Sequence, residues 1–84
     1  MKHYASSKFW SLYNELPQEV RSIADKNYEL LRVDNQHPSL HFKRIGELWS
    51  VRAGLHYRAL GLDVDDGIMW IWIGTHADYD KMIK

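Results

Sequence analysis

Basic side chains are concentrated in the middle of this sequence. Residues 41–60 carry four basic side chains against one acidic side chain, a local net charge of +3, whereas the whole chain is neutral. A guanidinium group pairs bidentately with phosphate oxygens and stays charged in proteins. A basic patch on a neutral protein favours binding at one defined phosphate site over general coating of nucleic acid. The basic residues of this patch are Lys43, Arg44, Arg52 and Arg58, with His41 and His56 in the same stretch.

A second group of chemically capable residues lies near the C-terminus. Imidazole is the side chain that most readily exchanges a proton near neutral pH, so a histidine such as His76 is suited to act as an acid or a base. Tyr79 follows three residues later, and this spacing places both side chains on one face if the segment is helical. Each residue has a structural alternative, because His76 also suits a strand–helix junction and Tyr79 the packing of a terminal helix.

Arg52 and Arg58 each fall in a predicted strand. Apolar and polar side chains alternate over residues 49–53, which places Arg52 on the polar face together with Ser50. Residues 57–64 predict the next strand, with Arg58 and the apolar side chains at even positions on a common face. The two arginines bracket one phosphate if these strands are neighbours in the right register. A slip of one residue would move every side chain of a strand to the opposite face.

The remaining pattern predicts an α+β fold, in which an N-terminal helical hairpin precedes an antiparallel meander and a short C-terminal helix. Apolar residues recur at helical spacing on both sides of Leu16-Pro17, where the proline ends one helix and opens the next. Asp66-Gly67 predicts a tight hairpin turn. The predicted helices span residues 8–16, 17–32 and 77–84, and further strands span residues 40–45 and 68–73. For residues 1–5 the sequence allows either a short edge strand or a frayed end.

Length and composition indicate one small domain, residues 1–84, with a dense core. The chain has 84 residues, of which 45% are hydrophobic, including four Trp and five Tyr. Large aromatic side chains bury roughly 150–250 Å² each. The chain contains no Cys, which rules out disulfides and thiolate metal sites within it. We expect a cytoplasmic protein without a signal peptide and without contact with a membrane.

Two motifs and this order of elements resemble the RelE/ParE superfamily of bacterial toxins, which are the toxic halves of toxin–antitoxin pairs. The first motif is residues 48–60, LWSVRAGLHYRAL, which is similar to the family's pair of strands that each carry an arginine. The second is residues 72–79, WIGTHADY, which is similar to the ending of HigB-like members. The resemblance covers nearly the whole chain, and its specificity lies in the ordered set of motifs.

The resemblance implies a fold, a partner and an activity. The implied fold is a helical hairpin packed on a twisted antiparallel β-sheet with a short C-terminal helix, and the implied partner is a cognate antitoxin. RelE-like, HigB-like and YoeB-like members cut ribosome-bound mRNA without a metal or other cofactor, whereas ParE-like members inhibit DNA gyrase. A catalytically inactive relative that binds its antitoxin is a third possibility.

For a nuclease, the resemblance implies a role for each candidate residue. Arg52 and Arg58 would stabilise the charged phosphorane, while His76 and Tyr79 would exchange protons with the reacting oxygens. Lys43 and Arg44 would hold flanking phosphates, and one of Trp49, Tyr57 and Trp72 would stack on a base. Structural alternatives exist: Arg58 would otherwise pair with an acid such as Asp63 or Asp65, and Asp63, Asp65 and Asp66 belong to a turn more than to a metal site.

Two features depart from the ribosome-dependent nucleases of this family. The chain is neutral, whereas those nucleases are generally basic. The glutamate that YoeB-like members use as a general base has no clear counterpart, since Glu47 is out of register with the arginines. The gyrase-directed and inactive alternatives therefore stay open at the level of sequence.

Overall fold

The computed structural model describes residues 1–83 and contains three α-helices, one short 3₁₀ helix and five strands within them. Lys84, the last residue of the predicted C-terminal helix, lies outside the described residues. No helix in residues 1–83 is long and apolar enough to cross a membrane. In chain order the elements are β1 (Lys2–Ala5), α1 (Ser7–Asn14), α2 (Gln18–Val33), the 3₁₀ helix (Pro38–Leu40), β2 (Lys43–Ile45), β3 (Leu48–Arg52), β4 (Tyr57–Val64), β5 (Gly67–Thr75) and α3 (His76–Ile83).

The five strands form one sheet in the order β1-β5-β4-β3-β2. Strands β2 to β5 make the predicted antiparallel meander, in which each strand pairs with the next in sequence. β1 adds to the edge of β5 in parallel, with Lys2 opposite Gly67 and Ala5 opposite Trp70. The predicted α+β fold is confirmed. The N-terminal segment is an edge strand, and its parallel pairing makes the sheet mixed at that edge.

The first two helices form the predicted hairpin. The Ser6 hydroxyl accepts a hydrogen bond from the Phe9 amide at 3.1 Å and caps α1, as expected for a serine at this position. Pro17 lies immediately before α2, one position earlier than predicted. The Tyr13 hydroxyl donates to the Asp25 carboxylate at 2.6 Å and links the two helices.

The two faces of the sheet pack against different helices. Val51 and Ala59, which are partners across β3 and β4, are buried with residues of α2 in the main core. Ser50 points the other way, where its hydroxyl meets that of Tyr79 in α3. Alternate residues of a strand lie on opposite faces, so one face belongs to the helical hairpin and the other to α3. We call the second the outer face; in β3 and β4 it carries Ser50, Arg52, Arg58 and Leu60.

A bulge in β5 sends its two tryptophans to opposite faces. Leu60 pairs with Trp72 and Gly61 pairs with Trp70, so Ile71 is the extra residue. Trp70 is consequently buried in the main core, whereas Trp72 lies on the outer face. A Cβ at Gly61 would lie 2.9 Å from the Trp70 ring, so this close approach requires glycine.

His3 links β1 to the main core through contacts with Trp70. The Trp70 indole N–H donates to Nδ1 of His3 at 3.1 Å, and the two rings stack with their centroids 6.1 Å apart. Tyr28 packs edge-on against the same imidazole at 5.7 Å. Burial, and after it the positive charges of the N-terminus and Arg32, lower the pKa of His3 from its ordinary value of 6.5. Protonation of Nδ1 would also remove the acceptor for the indole.

Acidification is therefore expected to destabilise the fold through His3. The unfolded chain takes up the proton more readily, so the free energy of unfolding falls as the pH drops below about 6.5 and levels off below the lowered pKa. Urea unfolding should show a smaller loss for His3→Gln, which keeps an acceptor and does not titrate. The exposed His56→Gln is the matched control, and equal losses in the wild type and both variants would contradict this role.

Candidate functional site

The register of β3 and β4 places Arg52 directly opposite Arg58. Both side chains lie on the outer face, because the adjacent pair of Val51 and Ala59 is buried on the other side. Like charges directly opposite one another in an antiparallel pair are destabilising. Within residues 1–83, neither guanidinium forms a salt bridge with a carboxylate. The structure therefore brings together two cations without pairing either with an anion.

Arg58 is held by the turn between β3 and β4. Its Nη1 donates to the carbonyl oxygens of Tyr57 at 2.7 Å and Gly54 at 3.3 Å, with a longer contact to that of Leu55 at 3.5 Å. Burial, and after it the charge of Arg52, lower the pKa of the Arg58 guanidinium. The carbonyls fix one edge of this group and leave its Nε and Nη2 without a hydrogen-bond partner in the described part of the chain.

Gly54 gives this turn its shape. Its φ of 105° lies in the region that favours glycine, and a Cβ at this position would lie 3.1 Å from the Ile23 side chain of α2. The turn is closed by the Ala53 amide, which donates to the Tyr57 carbonyl at 3.0 Å. The glycine thus allows the turn to approach α2 while its carbonyls point at Arg58.

His76 begins α3 at the same end of the sheet as the two arginines. Arg58 pairs with Gly74 across β4 and β5, and the His76 amide donates to the His56 carbonyl in the β3–β4 turn at 2.7 Å. The Nδ1 atom of His76 lies 3.3 Å from a carboxylate oxygen of Asp80, and 47% and 44% of the two side chains are exposed. Sequence reasoning missed Asp80, although its spacing of four residues from His76 is a signal for contact on a helix.

Tyr79 is buried between α3 and the sheet. It is 4% exposed, and its hydroxyl lies 2.8 Å from the hydroxyl of Ser50, which is 2% exposed. Its ring centroid is 5.9 Å from that of His76, so the two residues do share a side of the helix. The Tyr79 hydroxyl is nevertheless paired inside the protein. This arrangement matches the packing alternative for Tyr79 and keeps its hydroxyl from the exposed part of the site.

The two predicted phosphate-contacting residues of β2 lie on opposite faces. Lys43 pairs with Ser50 and is exposed on the outer face. Arg44 pairs with Trp49, its guanidinium lies 5.0 Å from the centroid of that ring, and it forms an ion pair of 2.6 Å with Asp63. The alternation of a strand separates the two neighbours. The structure therefore brings Lys43, and not Arg44, to the side of the arginine pair.

Two of the acidic residues around the β4–β5 turn, Asp63 and Asp66, have partners away from the arginine pair. The Trp49 indole donates to Asp63 at 2.6 Å, and this bond, with further help from Arg44, lowers the pKa of Asp63. Asp63 therefore does not pair with Arg58, as one alternative had it. Asp66 accepts a hydrogen bond of 2.9 Å from a tyrosine of β1. In residues 1–83 no group of three or more His, Cys, Asp or Glu side chains is placed to hold a metal ion.

Of the three aromatic residues considered for base stacking, Trp72 shares the outer face with the arginines. Its ring lies against Gly74, where a Cβ would come within 2.5 Å of it, and Gly74 is the direct partner of Arg58. Trp49 is instead stacked on Phe42 with centroids 4.7 Å apart. Among the tryptophans considered, the structure thus places Trp72 next to the arginine pair.

No protein-family model matches the chain, and no curated protein matches it in sequence. Solved structures match it over nearly its whole length. A chain of the RelB–RelE antitoxin–toxin complex from Methanococcus jannaschii has a TM-score of 0.72 at 15% identity, covering 96% of this chain and 99% of that one. The isolated E. coli RelE toxin has a TM-score of 0.63 at 13% identity, covering 98% and 97%, and E. coli YafQ has 0.61 at 13%, covering 93% and 96%.

The fold is therefore that of the RelE-like toxins, and the resemblance seen in the sequence motifs is confirmed at this level. Identities of 13–15% establish a common architecture. They do not establish an activity, because proteins that share one fold can have different functions. The residues that bear on function are those of the outer face.

Removing one of the opposed charges should stabilise the ligand-free protein. Arg52→Gln is expected to raise the free energy of unfolding at low salt by less than about 1 kcal/mol, the usual scale of a cross-strand pair. We expect pyrophosphate to raise the melting temperature of the wild type above its value in chloride at the same ionic strength. This increase should be smaller in Arg52→Gln, as measured by thermal unfolding. Arg44→Gln is the control and should keep the anion response. An unchanged response in Arg52→Gln would contradict an anion site at the pair.

A packing role for Tyr79 makes a separate prediction. Tyr79→Phe leaves the Ser50 hydroxyl buried without a partner, so the free energy of unfolding should fall by roughly 1–3 kcal/mol. The double variant Ser50→Ala/Tyr79→Phe removes both polar groups and should recover much of that loss. Urea unfolding measures both effects, and a Tyr79→Phe protein as stable as the wild type would show that the buried bond is dispensable.

Proposed function

We propose that the protein is the toxin of a toxin–antitoxin pair and that it cuts ribosome-bound mRNA at its outer face. The observation that carries the proposal is the opposition of Arg52 and Arg58 across β3 and β4, with no carboxylate partner within residues 1–83. An anion that bridges the pair relieves its repulsion, and phosphate is an anion whose oxygens guanidinium groups bind bidentately.

The chemistry proposed for this site is attack of an RNA 2′-hydroxyl on the adjacent phosphorus. The new 2′-O–P bond forms as the bond from phosphorus to the 5′ oxygen breaks, which leaves a cyclic phosphate and a free 5′-hydroxyl. A base takes the proton of the 2′-hydroxyl, an acid gives one to the departing oxygen, and cations stabilise the charge on the phosphorane. We assign the arginine pair to the charge and His76 to one of the two proton transfers.

The geometry supports different roles for the two arginines. Arg58 is fixed by the carbonyls of the β3–β4 turn, and a donor fixed before the reaction stabilises charge without reorganisation. Arg52 makes no comparable side-chain bond in the described residues and is free to follow the phosphate. Lys43 lies on the same face, at the position opposite Ser50, where it is suited to a neighbouring phosphate.

The proposed partner of the toxin is a cognate antitoxin. The M. jannaschii structure that shares this fold is an antitoxin–toxin complex, which supports such a partner for this chain. The proposal also places the protein in the cytoplasm, where ribosomes and mRNA are found.

The neutral charge of the chain favours a second candidate, a toxin that acts by binding, on gyrase or another protein, without cutting RNA. Ribosome-dependent cutting gains from a basic surface that attracts RNA. Glu47 lies in the turn before β3, beyond the end of the strand that is distant from Arg52. It therefore supplies no base at the arginine pair.

Translation in vitro with added protein tests the proposal. Primer extension should reveal new 5′ ends of the mRNA when ribosomes are translating and none when ribosomes are left out. Arg58→Ala and His76→Ala should each cut at least about 10²-fold more slowly, the usual loss when a charge-stabilising donor or a proton-transfer group is removed. Arg32→Ala is the matched control, because Arg32 is exposed on α2 and pairs with Glu29.

The outcomes separate the candidates. Cutting that persists in both Arg58→Ala and His76→Ala would overturn the site, provided that their spectra show an intact fold. Uncut mRNA with inhibited gyrase supercoiling would establish the binding toxin, and uncut mRNA with binding of an antitoxin alone would indicate an inactive relative.

A further inference from the structure

Asp80 is an acidic residue of α3 whose side chain lies next to that of His76. Its carboxylate lies 3.3 Å from Nδ1 of His76, one turn earlier on α3. Its charge also reaches Arg58, where it acts against the effects of burial and of Arg52. Asp80 is therefore the acid that contacts His76, and its charge acts on Arg58, although neither the motifs nor the fold comparison points to it.

His76 is anchored through its backbone, and its ring packs beside one other ring. The backbone amide of His76 is anchored to the His56 carbonyl at 2.7 Å, and its ring rests beside that of Tyr79 at a tilt of 32°. A neutral imidazole carries its proton on one nitrogen, and the hydrogen bond made by that nitrogen decides which one. A carboxylate is an acceptor, so a neutral imidazole that bonds to Asp80 through Nδ1 carries its proton on that nitrogen.

We infer that Asp80 is a positioning residue for His76, holding the imidazole with its proton on Nδ1 so that the lone pair of Nε2 faces outward as the base. The inference rests on the proposed function for its meaning in catalysis, but the tautomer itself is a property of the free protein. In this arrangement Asp80 accepts the Nδ1 proton throughout. The proton of the 2′-hydroxyl goes to Nε2, and the resulting imidazolium is stabilised by the same carboxylate.

A spectroscopic test needs no substrate. Long-range ¹⁵N–¹H spectra of protein labelled at histidine report which ring nitrogen carries the proton, and the His76→Gln spectrum identifies the His76 signals. We expect the Nδ1–H form in the wild type and in Asp80→Glu, and loss of that form in Asp80→Asn, whose amide N–H is able to donate to Nδ1. Asp78→Asn, on the same helix and without contact to the His76 ring, should keep the wild-type pattern.

Cleavage in the translation assay gives the second readout. Asp80→Asn should cut at least about tenfold more slowly, Asp80→Glu should recover most of the rate, and Asp78→Asn should match the wild type. An identical His76 tautomer in Asp80→Asn and the wild type would overturn the inference, as would equal cleavage by the two proteins. If the wild type does not cut RNA, the proposed function fails by itself, and the tautomer comparison decides whether Asp80 positions His76.

Discussion

The pairing of Val51 with Ala59 is the interaction on which the outer face depends. These two side chains lie directly opposite one another on β3 and β4 and are buried against α2. Their burial fixes the register of the two strands. Because side chains alternate, the neighbouring pair, Arg52 and Arg58, must point to the other face. A slip of one residue would carry a guanidinium group into the apolar core, which costs several kcal/mol when the charge is unpaired.

The second constraint is the attachment of α3 to the outer face. The buried bond between Ser50 and Tyr79 ties the helix to β3, and the amide of His76 ties its first residue to the β3–β4 turn. The same turn presents its carbonyls to Arg58. The β3–β4 turn therefore contacts both Arg58 and the first residue of α3. Its backbone helps to place the guanidinium group of Arg58 and the imidazole group of His76.

Local pattern was sufficient to predict the helical hairpin, the meander and the short C-terminal helix. It also predicted that Arg52 and Arg58 would share a face if the register allowed. The parallel pairing of β1, the bulge at Ile71 and the ion pair of Arg44 depend on contacts between distant parts of the chain, which periodicity does not contain. The burial of Tyr79 likewise depends on a partner 29 residues away.

We propose that the arginine pair is the phosphate-binding centre of this RelE-like fold. The most direct measurement is an NMR titration of the arginine Nε–H signals with a short 2′-O-methyl oligoribonucleotide, which binds as RNA does but has no 2′-hydroxyl to react. We expect saturable shifts of the Arg52 and Arg58 signals, with the Arg32 and Arg44 signals little changed. Shifts confined to Arg32 or Arg44, or none at any arginine at saturating RNA, would contradict the proposal.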